Sequence, residues 1–306
     1  MPLSSNMRGS LFMMIAMAGY TTNDALTKLA GVHLNAAQIM LVRGLFATTI
    51  VALLAWHQGA LRPWRTILIP AVGWRVAAEL TATFAFLTGL MQLPLANATA
   101  IMQALPLAIT MGAALFLHEP VGWRRWSAIG AGFIGVLIIV RPGFEGFNRF
   151  ALFNLLAVLA CTVRDLATSR VPRSIPSLYI ALATSMAVTL GGVLAVVPFG
   201  GWRPMDQSTV GMMAASSVMV VVGYQFAAMA VRTGQMSAVA PFRYTALLWS
   251  ILLTILLFGQ YPDLPMIVGA TIIVTSGIYA FWRERRVNKT KPAASTTGPN
   301  MAPDGI

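Results

Sequence analysis

The chain has 306 residues and a formal net charge of +12, and 57% of its residues are hydrophobic against 10% charged. Together with a mean hydropathy of +0.73, this composition excludes an ordinary soluble domain and indicates an integral membrane protein. The basic residues lie at the ends of apolar segments rather than in one soluble patch, so they indicate membrane orientation rather than nucleic-acid binding.

Apolar segments of membrane-spanning length follow one another through nearly the whole chain. A hydrocarbon core about 30 Å thick needs about 20 apolar residues in a helix that rises about 1.5 Å per residue. Ten such segments are predicted, at 11–31, 36–56, 71–91, 95–117, 123–141, 150–169, 177–198, 209–230, 236–258 and 263–282. Only short connections separate them, so no soluble domain fits between. We therefore predict an all-α integral membrane protein with ten transmembrane helices.

Two other interpretations of these segments are disfavoured. A transmembrane barrel needs alternating strands of about ten residues, whereas the run Ala128–Val140 is continuously apolar. The first segment, with Arg8 before an apolar run, resembles a cleaved signal peptide. It also contains Asp24, however, which recurs in the sixth segment, and this recurrence favours a permanent helix.

An internal repeat divides the chain into two units. The polar stretch Gly19–Lys28 in the first segment has a counterpart at Cys161–Arg170 in the sixth. The matched pairs are Asp24 with Asp165 and Thr27 with Thr168 at an offset of 141 residues, and Gln103 with Arg243 and Thr110 with Ser250 at an offset of 140. Two units of five helices each are therefore predicted, at residues 8–142 and 150–282.

The loop charges indicate that the two units cross the membrane in opposite senses, as an odd number of helices per unit requires. The predicted cytoplasmic segments contain thirteen basic residues: Arg8, Arg62, Arg65, Arg124, Arg125, Arg170, Arg173, Arg232, Arg283, Arg285, Arg286, Lys289 and Lys291. The outer loops contain three, Arg141, Arg149 and Arg203. This bias places both termini in the cytoplasm, and residues 288–306 are predicted to be a disordered tail. Inverted repeats are typical of secondary transporters, whose substrate site lies between the repeats.

The motifs resemble those of the drug/metabolite transporter superfamily, in its EamA-domain branch. The resemblance rests on Asn23-Asp24 with Lys28, on Leu41–Arg43, and on Leu117–Pro120 before a glycine-rich segment. The second unit departs from this pattern at Gln260, which has no acidic group to match Glu119.

Within that branch, the stretches Ala18–Lys28 and Gln38–Thr48 are similar to bacterial riboflavin transporters. The resemblance implies a carrier in the bacterial inner membrane that takes up a small metabolite, with riboflavin as the first expectation. An amino-acid, amine or S-adenosylmethionine transporter or exporter of the same superfamily is the alternative, and the sequence does not decide between import and export.

Ionisable residues inside the apolar segments are candidates for function, because a charge at the bilayer centre costs about 2.5–3.5 kcal/mol on insertion scales. The predicted intramembrane charge network contains Asp24, Arg43, Glu79 and Asp165. Within it, Arg43 is expected to pair with Asp24 or Glu79. Lys28 and Arg75 lie near predicted helix ends and are expected to reach the interface or to pair locally. The carboxylates could carry a proton or simply hold helices together.

Aromatic and polar residues form a second set of candidates. The predicted substrate-binding residues are Tyr20, Asn23, Gln103, Arg243, Tyr244 and Trp249. Gln103 and Arg243 occupy equivalent places in the two units and are expected on opposite walls of one cavity. A flat flavin ring could stack on the aromatic residues while its polyol tail bonds to the polar ones. Packing between helices is the alternative role for each of these residues.

Enzyme chemistry is not indicated. The sequence has neither a phosphate-binding Gly-x-x-x-x-Gly-Lys loop nor a His-Glu-x-x-His motif, and its histidines, His33, His57 and His118, fall at predicted helix ends. The single cysteine, Cys161, offers no disulfide. We therefore predict a carrier without cofactor or metal that contacts lipid and a small substrate and no nucleic acid. A homodimer is left open, as is an intramembrane enzyme or a structural subunit.

Overall fold

The computed structural model describes residues 4–118, 121–142, 148–172, 174–234 and 239–287, and every regular element within them is helical. The helices are α1 (Ser5–Ala30), α2 (Ala36–His57), α3 (Pro70–Gln92), α4 (Leu95–Met102), α5 (Leu105–Phe116), α6 (Trp123–Val140), α7 (Ala151–Ser169), α8 (Ser177–Val196), α9 (Gln207–Thr233), α10 (Thr245–Phe258) and α11 (Leu264–Val287). Short 3-10 segments lie at Trp64–Ile67 and Ala240–Tyr244. The predicted tail at 288–306 lies outside the described residues.

Membrane-spanning length and composition recur along the described chain. Seven spans are long and apolar enough to cross a membrane: Ala36–His57, Leu95–Phe116, Trp123–Val140, Ala151–Ser169, Ser177–Val196, Gln207–Ala230 and Ala240–Phe258. A shorter apolar stretch, Leu264–Ala280, forms most of α11. The helices α1 and α3, of 26 and 23 residues, contain intramembrane charges of the predicted network. The prediction of an all-α membrane protein is confirmed in this general form.

Two predicted helices are interrupted rather than continuous. The span predicted at 95–117 breaks after Met102, and α5 starts at Leu105. Pro106 explains the break, because its ring nitrogen has no hydrogen to donate to the carbonyl of Met102. In the described part of the span predicted at 236–258, the 3-10 segment Ala240–Tyr244, which includes Pro241, precedes α10. Both interruptions occur at the equivalent place in the two predicted units.

Helices from the two halves of the chain pack pairwise. The most extensive contacts join α1 to α9, α3 to α7, α2 to α8 and α6 to α11. In the predicted units, α1 is the first helix of the first unit and α9 is the third helix of the second. Likewise, α7 is the first helix of the second unit and α3 is the third helix of the first. The pairs α2 with α8 and α6 with α11 join helices of the same rank. The packing pattern is thus unchanged when the two halves are exchanged.

Polar side chains near the ends of helices form hydrogen bonds to the backbone of distant segments. Gln38 is fully buried, and its amide both donates to the carbonyl of Arg203 at 2.8 Å and accepts from its N–H at 2.9 Å. Lys28 was expected either to reach the membrane interface or to pair locally, and the structure shows a local contact. Its Nζ donates to the carbonyl oxygens of Leu90 at 2.7 Å and Leu93 at 2.5 Å. These carbonyls lie at the end of α3, where intrahelical donors are lacking.

The start of α9 is set by a side-chain cap. Asp206 occupies the N-cap position and accepts from the backbone N–H of Thr209 at 3.0 Å. The hydroxyl of Thr209 donates to the same carboxylate, as does that of Ser208 at 2.7 Å. These hydrogen bonds lower the pKa of Asp206 to about 2, because they favour the ionised carboxylate. The cap therefore holds its charge throughout the physiological pH range.

Candidate functional site

A buried cluster of charges joins α3 to α7, and Arg164 lies at its centre. The Arg164 side chain is 0% exposed and lies 3.1 Å, Nη1 to Oε2, from Glu79 on α3. Its Nε and Nη2 also lie 2.7 Å from Oδ1 of Asp165. One guanidinium thus binds two carboxylates, which are 10% and 2% exposed. Such charge-assisted bonds are the strong ones in a low-dielectric interior.

A second arginine completes this α3–α7 charge cluster, which we define as Arg75, Glu79, Arg164 and Asp165. Arg75 is 3% exposed and donates to the hydroxyl of Thr168 on α7. Of the two expectations for Arg75, reaching the interface or pairing locally, this contact agrees with the second. Two guanidinium and two carboxylate groups make the cluster neutral in sum. A buried Oδ2 on Asp165 has no hydrogen-bond partner within the described part of the chain.

The positions between α1 and α9 that the predicted repeat makes equivalent retain one ionisable group, Asp24, out of four. Asn23 donates to Oδ1 of Asp24 at 2.9 Å, as Arg164 donates to Asp165. Thr27 on α1 donates to the hydroxyl of Ser216 on α9 at 3.5 Å. Thr27 is equivalent to Thr168, and Ser216 is equivalent to Arg75. The position equivalent to Glu79 is the apolar Val220. The predicted repeat thus matches an interface with four ionisable residues to one in which Asp24 is the ionisable member of the four positions.

Asp24 lies next to the cation contributed by α2. The electrostatic interaction of Arg43 is stronger with Asp24 than with Tyr224 or Glu79. Asp24 and Arg43 are both half-buried, whereas Asp165 is buried. The expected network residues thus fall into two groups: Asp24 with Arg43, and Glu79 with Asp165 around Arg164.

Aromatic residues line the helices beside Asp24. The rings of Tyr20 on α1 and Tyr224 on α9 are 5.9 Å apart and meet edge to face at 86°. Both pack against one buried cluster that also receives Phe242 and Trp249. Two of the three candidate aromatic residues, Tyr20 and Trp249, therefore share one region of the fold, between α1, α9 and α10. Such rings could stack on a flat ligand or pack only on one another.

Tyr244 and the pair Gln103 with Arg243 lie differently from the expectation. The hydroxyl of Tyr244 packs against Gly277 on α11. It fills the space that a side chain at this position would need, since a Cβ built on Gly277 would lie 1.7 Å from it. Gln103 donates from Nε2 to the backbone carbonyl of Arg243 at 3.3 Å. The two residues are thus in direct contact rather than on opposite walls of a cavity. Their contact joins the two interrupted helices at their breaks.

Arg75 and Arg164 are ionisable residues inside the apolar segments, but the charge network predicted from the sequence did not include them. Arg164 aligns with Asn23 at the same offset that matches Asp165 with Asp24, so the repeat could have identified it as a site position. Arg75 gave no such signal, because its equivalent is Ser216. Among the described residues, no group of three His, Cys, Asp or Glu side chains could hold a metal ion.

Comparison with known proteins adds the class of protein to this geometry. Residues 7–141 match the EamA-like transporter family. An S-adenosylmethionine uptake transporter of Rickettsia felis is 22% identical over 296 residues, which cover 94% of this chain and 97% of that protein. A riboflavin transporter of Rhizobium johnstonii is 28% identical over 236 residues, which cover 76% and 74% of the two chains.

A crystal structure of 18% sequence identity has the same fold, with a TM-score of 0.62, and the match covers 92% of this chain and 98% of that one. The resemblance to the EamA branch and to riboflavin transporters is therefore confirmed. The chain is a multi-pass membrane protein that resembles transporters along most of its length.

Proposed function

We propose that this chain is a secondary transporter of the bacterial inner membrane, with ten transmembrane helices in two inverted five-helix repeats. The observation that supports this most directly is the exchange symmetry of the contacts. Arg75 with Thr168 is repeated as Ser216 with Thr27. Thr48 and Thr189 are 141 residues apart and are therefore each other's equivalents in the two repeats. Their hydroxyls lie 3.1 Å apart, as expected for equivalent residues on a two-fold axis. Repeats related in this way move a substrate by alternating access.

The topology gives a first test of this proposal. Both termini are expected in the cytoplasm, because the basic residues gather on that side. Alkaline phosphatase, which is active only in the periplasm, should be inactive when fused after Asn288. The same reporter inserted in the α8–α9 loop near Arg203 should be active and serves as the positive control. Activity at the carboxyl end would reject the inverted repeat.

Riboflavin is the first proposed substrate. It is uncharged at neutral pH, and the site has no excess of carboxylates, since Glu79 and Asp165 are bound by Arg164. Tyr20, Tyr224 and Trp249 could offer ring faces to its flat flavin. The likeness to riboflavin transporters supports the same choice.

S-adenosylmethionine is the second candidate, because two observations favour it about as strongly. The uptake transporter of Rickettsia felis aligns along nearly the whole chain. Asp24, which lies next to Arg43, is half-buried, whereas Glu79 and Asp165 are buried, so it is the most accessible of these three carboxylates. A carboxylate at this place would suit a sulfonium or ammonium cation.

Uptake by membrane vesicles distinguishes these substrates. Trp249→Ala is expected to weaken riboflavin uptake at least about five-fold, because stacking on an aromatic side chain contributes about 1–3 kcal/mol. Trp249→Phe keeps a ring and should retain most of the uptake. Asp24→Asn should instead reduce uptake of labelled S-adenosylmethionine. Transport of S-adenosylmethionine that riboflavin does not inhibit, and that survives Trp249→Ala, would reject riboflavin as the substrate.

A further inference from the structure

The α3–α7 interface is cross-linked by charge. Arg164 of α7 bonds to Glu79 of α3, and Arg75 of α3 bonds to Thr168 of α7. If α3 slid along α7, Arg164 would lose Glu79 and Arg75 would lose Thr168 in a buried region. An unpaired buried charge is strongly destabilising. This interface therefore resists rearrangement.

The α1–α9 interface has neutral groups in place of Arg75, Glu79 and Arg164. Asp24, in place of Asp165, lies next to Arg43 on α2 rather than next to a charge on α9. The equivalent polar contact between α1 and α9 is a single 3.5 Å bond between the hydroxyls of Thr27 and Ser216. The backbones also approach closely at glycines. A Cβ on Gly9 would lie 2.9 Å from the backbone of Gly234, and one on Gly19 would lie 3.0–3.1 Å from the backbone at Met219 and Gly223. Among the described residues no ion pair joins α1 to α9, so these two helices can shift against each other without separating one.

Building on the proposed alternating access, we infer that transport opens and closes the α1–α9 interface while the α3–α7 interface stays fixed. An inverted repeat by itself would make both interfaces equally mobile, since the two are copies. The difference in charge removes this equivalence. The α3–α7 charge cluster thus acts as the fixed side of the carrier, and α1 moves against α9 with Tyr20 and Asp24 on its surface.

Disulfide cross-linking at equivalent positions tests this inference. Cys161 is the single native cysteine, so Cys161→Ala gives a cysteine-free parent. Met13→Cys with Ala230→Cys would link α1 to α9, where both residues lie in one buried cluster. Asn154→Cys with Gly89→Cys would link α3 to α7, where a Cβ on Gly89 lies 2.9 Å from Cγ of Asn154. These two pairs are the same pair of positions in the two repeats, so each is the matched control for the other.

Oxidation is expected to abolish uptake in the α1–α9 variant, and a reducing agent should restore it. The oxidised α3–α7 variant should keep the uptake of its reduced form, with the disulfide verified by mass spectrometry. Loss of uptake in the α3–α7 variant, or retention in the α1–α9 variant, would overturn the inference. If the cysteine-free parent and the native chain both fail to move either substrate, the proposed function fails instead.

Labelling of single cysteines provides a second measurement that needs no cross-link. Substrate should change the rate of maleimide reaction at Met13→Cys and leave the rate at Asn154→Cys unaltered. The opposite pattern, or an equal change at both positions, would contradict the inference even if a double variant folds poorly.

Discussion

Replacing Arg164 by methionine is expected to remove most of the folded protein. The guanidinium is fully buried and binds both Glu79 and Asp165, so its loss leaves two carboxylates in the interior without their cation. Breaking a buried ion pair by removing one partner costs about 3–5 kcal/mol. Since the whole stability of a folded domain is only about 5–15 kcal/mol, this variant should melt far below the parent.

Thermal unfolding in detergent, followed by size-exclusion chromatography, measures this effect. Arg62→Met is the matched control, because Arg62 is exposed and makes only long contacts to backbone carbonyls. A variant that also contains Asp165→Asn leaves one guanidinium, Arg75, and one carboxylate, Glu79, so the cluster is again neutral in sum. It should recover much of the lost stability. An Arg164→Met protein as stable as Arg62→Met would show that the charges are hydrated, which contradicts the described burial.

Replacing Gly19 by valine is expected to separate α1 from α9 and to reduce both stability and transport. A Cβ at this position would lie 3.0 Å from the carbonyl oxygen of Met219 and 3.1 Å from the nitrogen of Gly223. Backbone atoms in the middle of a helix cannot rotate away, so the helices must move apart. Overpacking of this kind costs about 1–3 kcal/mol.

The control for this substitution lies on the partner helix. A Cβ on Gly211 of α9 would meet nothing within 4 Å, so Gly211→Val makes the same chemical change in open space. Melting temperature and riboflavin uptake are compared at equal protein level. Equal values for the two variants would mean that α1 and α9 do not approach as closely as described.

The spans of the helices could be predicted from hydropathy because each apolar stretch has to cross the same thickness of lipid. The breaks inside two of them were missed, although Pro106 and Pro241 are visible in the sequence. A proline in a membrane helix often produces only a kink, since neighbouring groups can satisfy the freed carbonyl. Whether it ends the helix depends on contacts that hydropathy does not describe.

The candidate site could be predicted only as far as the repeat allows. A repeat tells which residues are equivalent, and it matched Asp24 with Asp165 and Gln103 with Arg243. It does not tell which residues are adjacent, because adjacency depends on how the units pack. Glu79 was therefore assigned to Arg43 rather than to Arg164, 85 residues away. Gln103 and Arg243 were placed apart, whereas they meet where the interrupted helices cross.

The pairing of α3 with α7 has a consequence for synthesis of the chain. Glu79 leaves the ribosome 85 residues before Arg164, so at about 5–20 residues per second it waits roughly 4–17 s for its partner. During this time α3 must enter the membrane with two charges. Arg75 and Glu79 stand four residues apart on one face of α3, where they can neutralise each other. The arrival of α7 would then add Arg164 as a partner of Glu79 and Thr168 as a partner of Arg75. The charges of α3 would thus gain their full set of partners only when the sixth predicted segment has inserted.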